Sequence, residues 1–162
     1  MQSFSTFLRE TFTTVYPWHL RSQSADFVVY DFAAEGKHST RRCTVEFSSD
    51  RDQRITLPGH EVHLSFFVNG EFETTGLGQG VKFKILSTVL DCTRDYIAKF
   101  KPGRIHFTAD KFNGFEGDEK ASSRSSLYTK LIQRFAIASG YELETINSSA
   151  RKDAFILRRI RK

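Results

Sequence analysis

The sequence predicts an α+β domain on a mixed, mostly antiparallel central sheet, and three observations carry that expectation. As far as Thr74 the apolar residues recur mostly with period two in short runs. From Val81 to Phe100 they recur with helical period over about five turns. After Pro102-Gly103 the order reads strand, helix, strand, strand. With about seven strands in one chain of 162 residues, a single domain over residues 1–162 is expected.

The elements follow in order. Phe4, Phe7, Leu8, Phe12 and Val15 lie at helical spacing, so the chain opens with an amphipathic helix that ends before Pro17. Phe27 to Phe32 is β-prone, and Glu35-Gly36-Lys37 follows as a loop. Cys43 to Phe47 and His63 to Val68 continue the sheet, with Asn69-Gly70 as a hairpin turn into the strand Glu71 to Thr74. These four strands form an antiparallel meander covered on one face by the first helix.

The helix from Val81 stops at Pro102-Gly103, and Ile105 to Ala109 is the next strand. A crossover helix in front of it predicts parallel pairing with an earlier strand. Asp110 to Ser123 is a loop of about 14 residues, a length that compact domains carry for a contact surface or a lid. Ser125 or Ser126 caps a helix through Leu127, Leu131, Phe135 and Ala138, with Gly140 as its C′ residue. Tyr141 to Glu144 and Ala154 to Leu157 close the sheet.

Composition excludes several classes of protein. Sixteen Phe and five Tyr supply a core without staples, and Cys43 and Cys92 fit neither a disulfide framework nor a zinc site, so both are expected as buried thiols in a reducing compartment. The five histidines show no metal-ligating spacing, so no metal is expected. No signal peptide opens the chain, and no stretch nears the length of about 18 apolar residues that a membrane span needs. The net charge of +5 gathers in Arg151, Lys152, Arg158, Arg159, Arg161 and Lys162, a pattern that a solubilising terminus explains, so nucleic acid is not an expected partner.

From Gly76-Leu77-Gly78-Gln79-Gly80 into the long helix, and from Ser126-Leu127-Tyr128 to Gly140-Tyr141 and Phe155-Ile156-Leu157, the chain resembles the C-terminal half of the Gcn5-related N-acetyltransferase fold. The resemblance implies a splayed pair of parallel strands that holds acetyl-CoA. Thr75, Gly76, Gly78, Gln79 and Gly80 stand where that family wraps the cofactor's diphosphate, and Tyr128 stands where it places a general acid. The runs from Thr75-Gly76 to Val89-Leu90, Ile105 to Asp110 and Ser123-Arg124 to Leu127-Tyr128 are also similar to a small uncharacterised family of tailed-bacteriophage proteins, which implies a host-cytoplasmic or virion location.

Two readings of each site stand side by side. The glycine loop either presents backbone N–H groups to a diphosphate, with Lys82 and Lys84 assisting, or only turns a strand into a helix. Tyr128 is either a proton donor to a leaving thiolate or a core tyrosine. A general base would come from Glu71 or Glu73, or from His106, against the plainer reading of solvated strand side chains. The expected activity is acyl transfer from acyl-CoA to a small-molecule or protein amine. The alternative is a non-enzymatic virion or host-factor-binding protein that uses the long loop and the basic terminus.

Overall fold

The computed structural model describes residues 15–35, 40–49, 54–68, 79–110, 130–148 and 152–160. The strands are β1 (Trp18–Gln23), β2 (Phe27–Glu35), β3 (Thr40–Ser49), β4 (Glu61–Val68), β5 (Arg104–Asp110), β6 (Tyr141–Ser148) and β7 (Lys152–Arg159). The long helix α1 is Gln79–Phe100, and a second helix, α2, is described over residues 130–138. One seven-stranded sheet has the order β1-β2-β3-β4-β5-β7-β6. Among the described strands only β4 and β5 run parallel, as a crossover through α1 requires.

The sheet's inner face is written in alternating residues. Val28, Tyr30 and Phe32 of β2, Cys43, Val45 and Phe47 of β3, Val62, Leu64 and Phe66 of β4, and Ile105 and Phe107 of β5 are buried and belong to one cluster. Both helices pack on this face. Ile85, Leu86, Val89 and Tyr96 of α1 join the cluster, as do Leu131, Ile132, Phe135 and Ala136 of α2, and the Arg94 guanidinium lies 5.8 Å from the centre of the Phe135 ring. Aromatic contacts fix α1 against the meander. Tyr96 stacks on Phe47 at 4.3 Å, the Tyr30 hydroxyl donates to Asp95 at 2.8 Å, and the Trp18 indole N–H donates to Asp91 at 2.8 Å. Cys43 and Cys92 are free, buried thiols, and burial pushes that of Cys43 up to about 12.

Two features go beyond the sequence expectation. β1 has no apolar alternation, because five of its six residues are exposed at the edge of the sheet, so period-two reasoning passes over it. The earlier strand that pairs in parallel with β5, left open by the sequence, is Glu61–Val68. The cause is register: β4 continues the β3 ladder and meets β5 on its other edge, which fills that edge from Glu61 to Leu64. The opening helix to Thr14, the Asn69-Gly70 turn, the strand Glu71 to Thr74, residues 111–123 of the long loop and the Ser125 or Ser126 cap lie outside the described residues. Gly140 does close α2 with a φ of 81°, as its position at C′ predicts. The two outermost ladders each carry an irregularity, between Leu20 and Ser22 in β1 and between Leu143 and Thr145 in β6.

Beneath β4 and β5 the backbone is packed too closely for a side chain. A Cβ on Gly103 would lie 2.6 Å from the Gly59 carbonyl oxygen, and the Gly103 N–H donates to the His60 carbonyl at 2.8 Å. His60 is buried. Its Nδ1 faces the Leu57 carbonyl at 2.8 Å, which can only accept, so Nδ1 carries the hydrogen and Nε2 accepts from the Tyr96 hydroxyl at 2.7 Å. Desolvation holds the imidazole below its usual range and outweighs the opposing effect of the Leu57 carbonyl.

Two stability measurements follow from this region. Gly103→Ala should cost about 2 kcal/mol in urea unfolding, since backbone rather than a flexible side chain stands in the way of the added carbon. A depressed His60 value means that the unfolded chain binds the proton more readily. The His60 contribution is therefore complete above about pH 6.5 and lost as the pH falls through the depressed native value. The stability difference between wild type and His60→Gln should shrink on going from pH 7.5 to pH 5, both pH values being approximate choices on either side of that window.

Candidate functional site

The sequences of β4 and β5 begin with the same kind of triplet, Glu61-Val62-His63 and Arg104-Ile105-His106. In a strand the first and third residues share a face. Parallel register then sets Glu61 against Arg104 and His63 against His106, while Val62 and Ile105 turn inward together. The polar residues therefore meet on the sheet face opposite α1.

Their geometry is specific. Arg104 Nη1 lies 3.2 Å from Glu61 Oε1, and its Nε lies 3.3 Å from Glu144 Oε2 on β6. Glu61 Oε2 lies 3.4 Å from His106 Nε2, and the His106 ring stacks on that of His63 with centroids 4.7 Å apart. The side chains of Glu61 and His106 are 31% and 29% exposed, sheltered yet open to a ligand. Among the described residues no group of three or more His, Cys, Asp or Glu side chains is placed to hold a metal ion.

Immediately beyond this cluster the two strands part. The β4–β5 ladder has four pairs and ends at Leu64↔Phe107, whereas β4 stays paired with β3 as far as Val68 and β5 with β7 as far as Asp110. Phe107 bridges the divergence on the inner face, its ring stacked between those of Phe66 at 6.3 Å and Phe155 at 5.9 Å. At the opposite end of the pair a cleft of about 1130 Å³ is walled by Glu61, Arg104 and Arg158 and by the end of α2 at Ser139 and Gly140.

A second polar cluster lies on the same face nearer the β1 edge. Burial raises the Asp31 carboxyl, but hydrogen bonds from Arg42 at 2.7 Å and Thr44 at 3.0 Å, with the charges of Arg42 and Arg21, outweigh it and hold the group below its usual range. All of these partners point at one carboxylate, so the cluster reads as a structural tie between β2 and β3.

Tyr128, Glu71, Glu73, Thr75, Gly76 and Gly78 lie outside the described residues. The backbone of Gln79, Gly80 and Lys82 forms the first turn of α1, a turn with no acidic residue. His106 is the one base candidate inside the described residues, and the structure brings it together with Glu61 and His63, which sequence reasoning did not nominate. The repeated charge–aliphatic–histidine triplet was the available signal, but it acquires meaning only once the parallel register is known.

The chain matches no family model, no curated protein and no solved structure. Its strand order and single splayed parallel pair are compatible with an acetyltransferase-like topology. Among the described residues no helix is long and apolar enough to cross a membrane.

The Glu61 cluster should be dispensable for folding. Its members are about a third to a half exposed, so solvent screens the charges, and Glu61→Gln should change unfolding free energy in urea by less than about 1 kcal/mol.

Proposed function

We propose that this chain is a phage-encoded acetyltransferase-like protein that transfers an acyl group from acyl-CoA to a small-molecule or protein amine. The observation that carries the reading is the β4–β5 junction: a parallel ladder that stops at Leu64↔Phe107 while both strands run on in their outer ladders. A slot between diverging strands suits a narrow acyl-pantetheine arm, and the stacked rings of Phe66, Phe107 and Phe155 give it an apolar floor.

The position of α1 supports the same group. Its C-terminal end is tied to the start of β4, where the Gly59 N–H donates to the Lys101 carbonyl at 3.2 Å. A helix of 22 residues extends about 33 Å, so its N-terminus lies toward the end where β4 and β5 part. That terminus carries partial positive charge, with Gln79, Gly80 and Lys82 in its first turn, and it suits a diphosphate. In this reading Thr75, Gly76 and Gly78 complete the cradle, Tyr128 donates a proton to the departing sulfur, and Glu71 and Glu73 are carboxylates within the same segment of chain. Acyl-CoA, when bound, supplies an activated thioester carbonyl.

Calorimetry with acetyl-CoA tests the reading. Binding is expected in the micromolar to millimolar range typical of enzyme substrates, and Tyr128→Phe should keep the affinity while turnover falls by about 10²-fold. No heat of binding at millimolar acetyl-CoA would sink the enzyme reading in favour of a non-enzymatic virion or host-protein partner role.

A further inference from the structure

We infer that His106, oriented by Glu61, is the proton acceptor for the amine in this reaction, and that the amine approaches on the sheet face opposite α1. The inference rests on the acyl-transfer reading and adds to it a residue and a direction of attack.

The chemistry sets the requirement. A primary alkylamine has an ammonium pKa near that of lysine, about 10.4, so near neutral pH it arrives mostly protonated and cannot attack a carbonyl until it loses a proton. A group that takes up a proton near neutral pH is needed, and imidazole is the side chain whose ordinary range fits. His60 is unsuitable, since it is buried and both ring nitrogens are engaged within the core. His19 lies on the β1 edge strand, three strands away from β4 in the sheet order. His106 stands one residue, about 3.3 Å along the strand, before the last pair that β4 and β5 share.

The surroundings of His106 prepare it for that task. A carboxylate only accepts hydrogen bonds, so Glu61 Oε2 at 3.4 Å favours the tautomer with hydrogen on Nε2 and leaves the Nδ1 lone pair to take a proton. Arg104 holds the other Glu61 oxygen and is itself held by Glu144, while the stacked His63 ring restrains rotation of the imidazole. Glu61 and Arg104 also form part of the wall of the cleft at the start of the two strands, which gives an amine a route to the cluster. Among the described residues the charged groups on this face next to the cluster are Glu46 from β3, Arg158 from β7 and Glu142 from β6, the last two paired with each other, while Asp31, Arg42 and Arg21 lie farther off toward β1. Glu61, Arg104 and His63 act here as positioning residues.

The step balances as follows. His106 Nδ1 takes the proton that the amine nitrogen gives up as a C–N bond forms to the acyl carbon. The C–S bond breaks with its electron pair on sulfur, which is protonated by the Tyr128 hydroxyl, itself reprotonated from solvent, or directly by water. His106 then returns its proton to solvent. No oxidant or reductant is involved.

Full-length wild type, His106→Gln and Glu61→Gln would be compared by acetyl-CoA calorimetry and by CoA release with butylamine as acceptor, between about pH 5.5 and pH 9, a range that brackets imidazole titration. Acetyl-CoA affinity is expected to be the same in all three. In His106→Gln, kcat should fall by about 10²-fold or more, the decline in rate toward acid pH should disappear, and added imidazole should restore part of the rate. Glu61→Gln should keep the acid decline with a smaller loss, on the order of 10-fold, because it removes orientation rather than the base. Unchanged kcat in His106→Gln, an acid decline that persists in that variant, or a wild type that binds acetyl-CoA but releases no CoA with butylamine would each overturn the inference. A wild type that does not bind acetyl-CoA removes the acyl-transfer reading itself, a result distinct from all three.

Discussion

Everything in the central part of this sheet depends on how closely Gly59 and Gly103 can approach. β4 and β5 are parallel, so no hairpin sets their register, and each could slide against the other until some contact stops it. That stop is backbone against backbone. The Gly103 N–H donates to the His60 carbonyl, the Gly59 N–H to the Lys101 carbonyl, and the Arg159 N–H to the Gly103 carbonyl, so three segments distant in sequence meet at one point. A slip of one residue would send Val62 and Leu64 to the polar face and Glu61 and His63 into the core. The meeting of Glu61 with His106 is thus a consequence of a missing side chain at residue 103.

The two central histidine environments show how one residue type is given opposite chemistry. His60 spends both ring nitrogens on the Leu57 carbonyl and the Tyr96 hydroxyl, which joins the start of β4 to α1. Burial makes its proton expensive, and the ring serves as a fixed wedge under the helix. His106, on the far side of the same sheet, is partly open to water and faces a carboxylate rather than a carbonyl. The fold separates the two by strand alternation alone: His60 is enclosed at the entrance to β4, and His106 turns outward between Ile105 and Phe107.

Legibility from sequence tracked periodicity. α1 was readable because Ile85, Leu86, Val89 and Tyr96 repeat at helical spacing and Pro102-Gly103 ends the run. β2, β3 and β7 were readable because burial of one face leaves alternation in the chain. β1 was not, since an edge strand that buries little has no pattern to show. Which earlier strand pairs with β5 was beyond sequence, because several segments are β-prone and only long-range backbone contact selects Glu61–Val68. The candidate site was legible to the same degree: His106 could be named as a base from residue type, but its carboxylate comes from a residue 45 positions away in the chain.

The irregularities in the outermost ladders bear on how this sheet meets other molecules. Among the described strands the margins of the sheet are β1 and β6. Each departs from regular pairing within its own length, between Leu20 and Ser22 and between Leu143 and Thr145. An irregularity of this kind adds local twist and bends the strand, so neither margin offers a straight row of donors and acceptors for a neighbouring chain to copy. Irregular margins of this kind favour recognition through side chains on the sheet's open face over lateral growth of the sheet from one molecule into the next.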